Sequence, residues 1–280
     1  MKLGYCLWGM PNVAIEESLP RLAALGYQGV ELCVLPRFST ALETLHPARR
    51  RLIRRLLDDN GLTLTAVAAH SDMVHAEGEA LEANLRRLHG AIDLAAELAR
   101  PGEPPIMVSL LGGREEEWET HRHLAVERAG ALDRRAAERG VTYAIELHVG
   151  TIVDVPEKAL WLLKQVNSPT LRLNFDVSHP ELMGVPTEVS VPLLAPLSVH
   201  THVKDQRGRW PNHEFLTPGE GPFDYVRFLK EMHKAGYRGF INVEVSVMRQ
   251  RKPDYEPFVH AAFGYRVLDY AFQAAGVPRG

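Results

Sequence analysis

Eight short apolar runs alternate with longer stretches of helical pattern along this chain: Lys2–Leu7, Gly29–Val34, Thr63–Ala69, Ile106–Leu110, Thr142–Leu147, Leu171–Phe175, Ser198–Val203 and Phe240–Val245. Most are rich in Val, Ile, Leu and Ala, the composition of strands covered on both faces. Strands that alternate with helices build βαβ units and a parallel sheet. Eight such units close into a single (β/α)8 TIM barrel, an α/β fold that typically needs about 250 residues. The 280 residues here predict one such domain over 1–280. Pro47 suits the first turn of a helix that runs to Asn60 and stops at Gly61. Ala24-Leu25-Gly26-Tyr27, Glu138-Arg139-Gly140 and Lys234-Ala235-Gly236-Tyr237 each place a glycine to end a helix. Asp224 is set to cap another, and a last helix over 255–275 closes the ring. Pro180, Pro186, Pro192 and Pro196 leave room only for short helices between the sixth and seventh strands.

Charge and composition exclude other classes. Net charge is −3 with histidine neutral, so there is no broad basic face for nucleic acid. The densest basic cluster, Arg49, Arg50, Arg51, Arg54 and Arg55, is interrupted by Leu52 and Ile53 and reads as the solvated face of an amphipathic helix. Cys6 and Cys33 both lie in apolar runs, which predicts buried free thiols. The N-terminus enters a strand at once without the pattern of a signal peptide, and no apolar run reaches the roughly 18 residues of a membrane span. The expected location is cytoplasmic.

Barrel enzymes carry their active sites where the strands end, so the residues that close each strand matter most. The third closes on His70, the fifth on Glu146-Leu147-His148, and the sixth on Asp176-Val177-Ser178-His179. The seventh closes on His202-Val203-Lys204-Asp205 and the eighth on Glu244. Every second strand residue shares a face. Glu146, Asp176, His202 and Glu244 are thereby placed to converge on the axis, with His200 one pleat deeper as a hydrogen-bonded core imidazole. Three buried carboxylates around one point repel each other, and a buried unpaired charge is costly. A divalent cation resolves this. Three oxygen donors and one imidazole nitrogen suit manganese, magnesium or cobalt, and also accommodate zinc. Such an ion polarises a carbonyl, and a carboxylate beside it can take a proton from the adjacent carbon.

At these residues the sequence resembles the xylose isomerase-like barrel superfamily, which holds sugar and sugar-phosphate isomerases and epimerases, inosose dehydratases and abasic-site endonucleases. The resemblance spans essentially the whole chain. It rests on Glu146-Leu147-His148, Asp176-Val177-Ser178-His179, His202-Val203-Lys204-Asp205, Pro218-Gly219-Glu220-Gly221 and Glu244, in that order. It implies one divalent metal on Glu146, Asp176, His202 and Glu244, and a substrate-contacting His179. In the ketose 3-epimerase branch it further implies Glu146 and Glu244 as the proton-transfer pair on opposite faces of the substrate carbon. The implied activity is isomerisation or epimerisation of a sugar, sugar phosphate or ketose through an enediolate. If hydroxide leaves the next carbon instead, the same site is a dehydratase. A nuclease of this superfamily would need further histidine ligands. Here the fourth strand is followed by Leu110-Leu111-Gly112-Gly113, and the position two before His213 is Pro211, where the nuclease pattern has aspartate. A sugar-binding barrel without catalysis would not require a proton-transfer pair.

Further residues are assigned to the pocket, each with an alternative. His70 and His148 read as substrate hydrogen-bonding groups, although a loop role for His148 would serve equally. Lys204 either meets substrate or pairs with Asp205 at the rim. Arg207 either holds a hydroxyl, carboxylate or phosphate or is simply solvated. Glu31 is a pocket residue or half of a salt bridge, and Trp8 is a sugar-stacking wall or ordinary packing. Gly112-Gly113 either bring amides to an anion or turn a loop. The expected partner is a small sugar or polyol, with no nucleic acid and no membrane; a homo-oligomer is compatible with the sequence.

Overall fold

A computed structural model describes all 280 residues. Ten strands form, at Lys2–Cys6 (β1), Gly29–Cys33 (β2), Thr63–Ala68 (β3), Ile106–Ser109 (β4), Thr142–Glu146 (β5), Leu171–Asp176 (β6), Ser198–Val203 (β7), Asp205–Arg209 (β8), Asn212–Leu216 (β9) and Phe240–Val243 (β10). Eight of them close a parallel barrel in the order β1-β10-β7-β6-β5-β4-β3-β2. Closure is made by β1 on β10, where Lys2 to Tyr5 lie opposite Phe240 to Val243. The expected (β/α)8 barrel is the observed fold, and each of the eight predicted runs falls on a barrel strand. No helix is long and apolar enough to cross a membrane.

Ten α-helices accompany the strands: Ile15–Leu25 (α1), Pro47–Asp59 (α2), Gly78–Leu98 (α3), Trp118–Glu138 (α4), Pro156–Val166 (α5), Ser178–Leu182 (α6), Thr187–Leu194 (α7), Tyr225–Lys234 (α8), Val247–Gln250 (α9) and Pro257–Ala275 (α10). The proline-rich interval holds only the short α6 and α7, as predicted. Helix α8 shows how sequence sets position. Tyr225, Phe228, Leu229 and Met232 share the buried face, at the spacing of one apolar stripe. Fully burying such a side chain contributes roughly 1.5–3 kcal/mol. The Asp224 side chain accepts the Arg227 amide at 2.9 Å and caps the helix start. Gly26, Gly140 and Gly236 all take the left-handed conformation assigned to them.

One element was not legible beforehand. Strands β8 and β9 form an antiparallel hairpin, with Asp205 opposite Leu216 and Arg209 opposite Asn212. It follows β7 directly and stands over the mouth of the barrel. Its sequence, Asp-Gln-Arg-Gly-Arg, has no apolar run, because most of it is solvated.

Inside the barrel the strand register stacks polar side chains below the mouth. His202 lies opposite Asp176 on one side and Asn242 on the other. One pleat deeper, His200 donates through Nδ1 to Asn174 Oδ1 at 3.0 Å, and it is buried, as a core imidazole should be. Gly4 makes room for this layer: a Cβ there would fall inside the envelope of the Asn242 amide oxygen. Gly4→Ala is expected to cost about 1–3 kcal/mol through overpacking, read as a lower urea midpoint with an unchanged slope.

Candidate metal centre

Glu146, Asp176, His202 and Glu244 each offer one ligand atom, and these atoms all lie within 4.8 Å of one another. All four side chains are buried. Glu146 ends β5, Asp176 ends β6, His202 lies near the end of β7, and Glu244 follows β10 with its amide held by the Val203 carbonyl at 3.0 Å. Four strand ends thus deliver one donor each. The residues lie beside a cavity of about 400 Å³ at the barrel mouth, a volume within the usual range for a small-molecule site. Glu146 and Glu244 line that cavity, whereas Asp176 and His202 lie against the wall below.

The charge environment fits a cation. The Lys204 ammonium ion-pairs with both Asp176 and Glu244, so a positive charge already sits among the carboxylates. Burial alone would raise the Asp176 pKa, but Lys204 and His179 outweigh it and hold the carboxyl below its ordinary value. Glu146 follows the same pattern: burial opposes ionisation, and hydrogen bonds from His179 and His202 bring it well below the usual range. Burial opposes the Lys204 charge too, yet Asp176 and Glu244 drive its pKa upward. The expected ion pair between Lys204 and Asp205 does not form. Asp205 instead accepts the amides of Gly219, Gly221 and Phe223 at 3.0, 3.0 and 3.2 Å. This is what fixes the Pro218-Gly219-Glu220-Gly221 loop. A side chain at Gly221 would collide with the Asp205 carboxylate.

Glu31 is fully buried behind His202 rather than in the cavity, which corrects its assignment to substrate. Its Oε2 accepts from His202 Nε2 at 2.5 Å and lies 3.2 Å from His200 Nε2, while Oε1 accepts from the Cys6 thiol at 3.2 Å. The second nitrogen of His202, Nδ1, faces Glu146 Oε1 at 3.5 Å and Glu244 Oε1 at 4.0 Å. A carboxylate behind a ligating imidazole fixes ring orientation and raises basicity. Burial would lower the His202 pKa, but Glu31 and Glu244 together hold it well above the ordinary value. Burial would likewise raise Glu31, and the two histidines bring it down to about 2. Cys6 and Cys33 are buried free thiols, 3.8 Å apart.

The remaining assigned residues divide cleanly. Trp8, His70, His148 and Lys204 line the cavity. His70 Nδ1 accepts the Leu110 amide at 3.3 Å, which leaves Nε2 as the donor facing Glu146 Oε2 at 3.5 Å. His148 Nδ1 donates to the Val149 carbonyl at 2.7 Å, and its ring lies 3.9 Å from that of His179. His179 is fully buried beneath the site, with Nε2 3.5 Å from Asp176 Oδ2 and 3.7 Å from Glu146 Oε1. Burial first, and then the neighbouring His148 and Lys204, lower its pKa to about 3. Arg207 does not reach the pocket: it is exposed on the outer side of the hairpin and donates to the Glu220 carbonyl. Gly113 gives its amide to Asp72 at 3.3 Å, so the double glycine turns a loop. The cavity also gathers Trp210, His213, Phe215 and Arg251. The first three ride on the unforeseen hairpin. Arg251 lies seven residues beyond Glu244 in a loop with no apolar pattern to mark its direction.

Residues 19–260 match the xylose isomerase-like TIM barrel family, and the chain belongs to it. It is 29% identical to the rhizopine catabolism protein MocC of Rhizobium meliloti, over 95% of this chain and 84% of that protein. It is 29% identical to the 3-dehydroshikimate dehydratase of Pseudomonas aeruginosa over 82% of this chain, but spans only 36% of that longer protein. Inosose dehydratase of Lacticaseibacillus casei is 23% identical over 92% of this chain and 90% of its own. The fold matches a D-tagatose 3-epimerase-like protein with a TM-score of 0.79 at 19% identity, covering 99% of this chain and 98% of the other. It also matches IolI protein, solved with a zinc atom, with a TM-score of 0.78 at 18% identity and coverage of 99% and 98%. Relatives of this chain thus include dehydratases, and its fold is shared with an epimerase-like protein.

Two outcomes follow. Glu31→Gln should weaken divalent-metal affinity by roughly 10–100-fold, measured by calorimetry. Its effect on stability has a fixed sign: a depressed carboxyl contributes above its ordinary pKa of 4.5 and loses that contribution as pH falls toward about 2. The stability difference between wild type and Glu31→Gln should therefore shrink over that window in urea titrations. Lys204→Met removes a cation that shares Asp176 and Glu244 with any incoming metal. Metal should bind this variant more tightly, by about tenfold or more, while the metal-free protein melts at a lower temperature because buried carboxylates lose their partner. Weaker metal binding would instead make Lys204 a supporter of the ion.

Proposed function

We propose that the protein is a divalent-metal-dependent enzyme that abstracts a proton from the carbon beside a carbonyl in a small sugar-like substrate, and so isomerises or epimerises it. The single observation that carries the reading is the convergence of Glu146, Asp176, His202 and Glu244 on one point beside a cavity. Those four residues would hold the ion; manganese, magnesium or cobalt suit the donor set, and zinc is compatible. When bound, such an ion supplies Lewis-acid polarisation of a carbonyl oxygen.

The chain's own groups do the rest. Glu146 and Glu244 are the carboxylates that line the cavity, so they are the ones that can exchange protons with bound substrate. Positioned on different strands, one removes the proton and the other returns one from the opposite face. His70 directs its Nε2 hydrogen at Glu146 and orients that carboxylate. His148, with Nδ1 committed to Val149, keeps Nε2 for substrate. Trp8, Trp210 and Phe215 supply apolar wall, which excludes water from a carbanionic intermediate.

A second reading, dehydration of a keto-polyol, uses the same Glu146 and Glu244 carboxylates beside the cavity. The carboxyl that has taken the proton from carbon can return it to the departing hydroxide, which leaves as water. The dehydratase relatives support it as well.

Incubation with a panel of ketoses and keto-inositols in heavy water tests both. Deuterium incorporation without new ultraviolet absorbance is expected for epimerisation, and an enone band for the lyase. Glu146→Gln and Glu244→Gln should each lower exchange by about 10²–10⁴-fold. Full exchange and full metal content in both variants would sink the proposal.

A further inference from the structure

We infer that Arg251 binds an anionic group, a carboxylate or phosphate, at the end of the substrate away from the reacting carbon. This rests on the cavity being the substrate site and adds the class of substrate it selects. The charged side chains that line the cavity are Glu146, Glu244, Lys204 and Arg251. Lys204 is tied to Glu244, and Glu146 faces His70. Arg251 alone makes no hydrogen bond or ion pair through its side chain, although it is one of three cations within four residues. Its neighbours are both committed: Arg249 to Glu220 and Asp254 at 2.9 and 2.8 Å, and Lys252 to Glu214 at 2.9 Å.

The loop that presents Arg251 is fixed in place. Ser246 Oγ accepts the Met248 amide at 3.2 Å and caps the short α9. The Gln250 side-chain amide donates to the carbonyls of Trp8 and Val245 at 3.0 and 2.8 Å, tying α9 to the strand ends that carry the site. The Arg249 clamp holds the other side. The backbone that presents Arg251 is thus anchored, and its exposed guanidinium is free to meet a ligand at the cavity. Its planar fork matches carboxylate or phosphate in a bidentate pair. Trp8 and Trp210 also line the cavity and offer apolar faces to a ring or chain held by Arg251.

The test uses the metal-loaded full chain and matched ligand pairs in calorimetry: quinate against myo-inositol for a carboxylate, and D-fructose 6-phosphate against D-fructose for a phosphate. Wild type should bind one anionic member roughly tenfold or more tightly than its neutral counterpart, and which pair shows the preference names the anion. In Arg251→Gln the preference should fall to near unity, with metal content by elemental analysis unchanged. Arg251→Lys should restore part of it, and rising salt should erode it in wild type. Equal binding of both members in both pairs, or a preference that survives in Arg251→Gln, overturns the assignment. Wild-type protein that holds no divalent metal sinks the proposed function but leaves the charge preference to be decided by these ratios alone.

Discussion

Four carboxylates, those of Glu31, Glu146, Asp176 and Glu244, are buried in the mouth of one barrel. The Lys204 ammonium meets two of them, and His202 donates through Nε2 to Glu31. Carboxylates removed from water are tolerated only when paired and hydrogen-bonded. Much of the surrounding construction serves that need. Glu31 faces His202 and His200, the Lys204 ammonium bridges two strand ends, and His70 and His179 turn a nitrogen toward Glu146. A site so rich in negative charge is primed for a further cation, and its oxygen-rich donor set decides which class of cation that is.

The same constraint explains why residues that look alike in sequence act differently. His200 and His202 are two apart on one strand and point the same way. The deeper one is lowered to about 4, by burial first, and stays a neutral member of the Asn174 and Thr65 layer. Burial acts on the upper one too, but Glu31 and Glu244 beside it shift it the other way, above the ordinary histidine value. Lys204 and Asp205 are adjacent, yet the break between β7 and β8 at Lys204 turns them to different partners. The lysine enters the carboxylate cluster, and the aspartate collects three loop amides that aim the chain into α8.

Shape and charge in the cavity come from separate parts of the fold. The barrel supplies the floor, with rigid strand ends that hold donor atoms in register. The hairpin of β8 and β9 and the loop after α9 supply the upper wall. Loops placed on a rigid scaffold are where such barrels vary their substrates. The floor carries the donor residues, and Trp210, His213, Phe215 and Arg251 line the wall above it.

By itself the sequence determined the barrel, through eight apolar runs whose spacing allows no other closed arrangement of βαβ units, and the donor quartet, through polar residues at strand ends where burial demands a partner. These are local signals: periodicity, capping and alternation act over a few residues. Tertiary structure alone decided the rest. Glu31 and Glu146 both lie in apolar strands, and nothing nearby in sequence says that one stands behind a histidine and the other in the cavity. Arg207 on the hairpin and Arg251 in a loop are both exposed, and only the second lines the cavity. The hairpin carries no apolar run because one of its faces is solvated. Each of these outcomes depends on which distant residues meet across the barrel axis, a quantity set by strand register and closure rather than by any stretch of chain read alone.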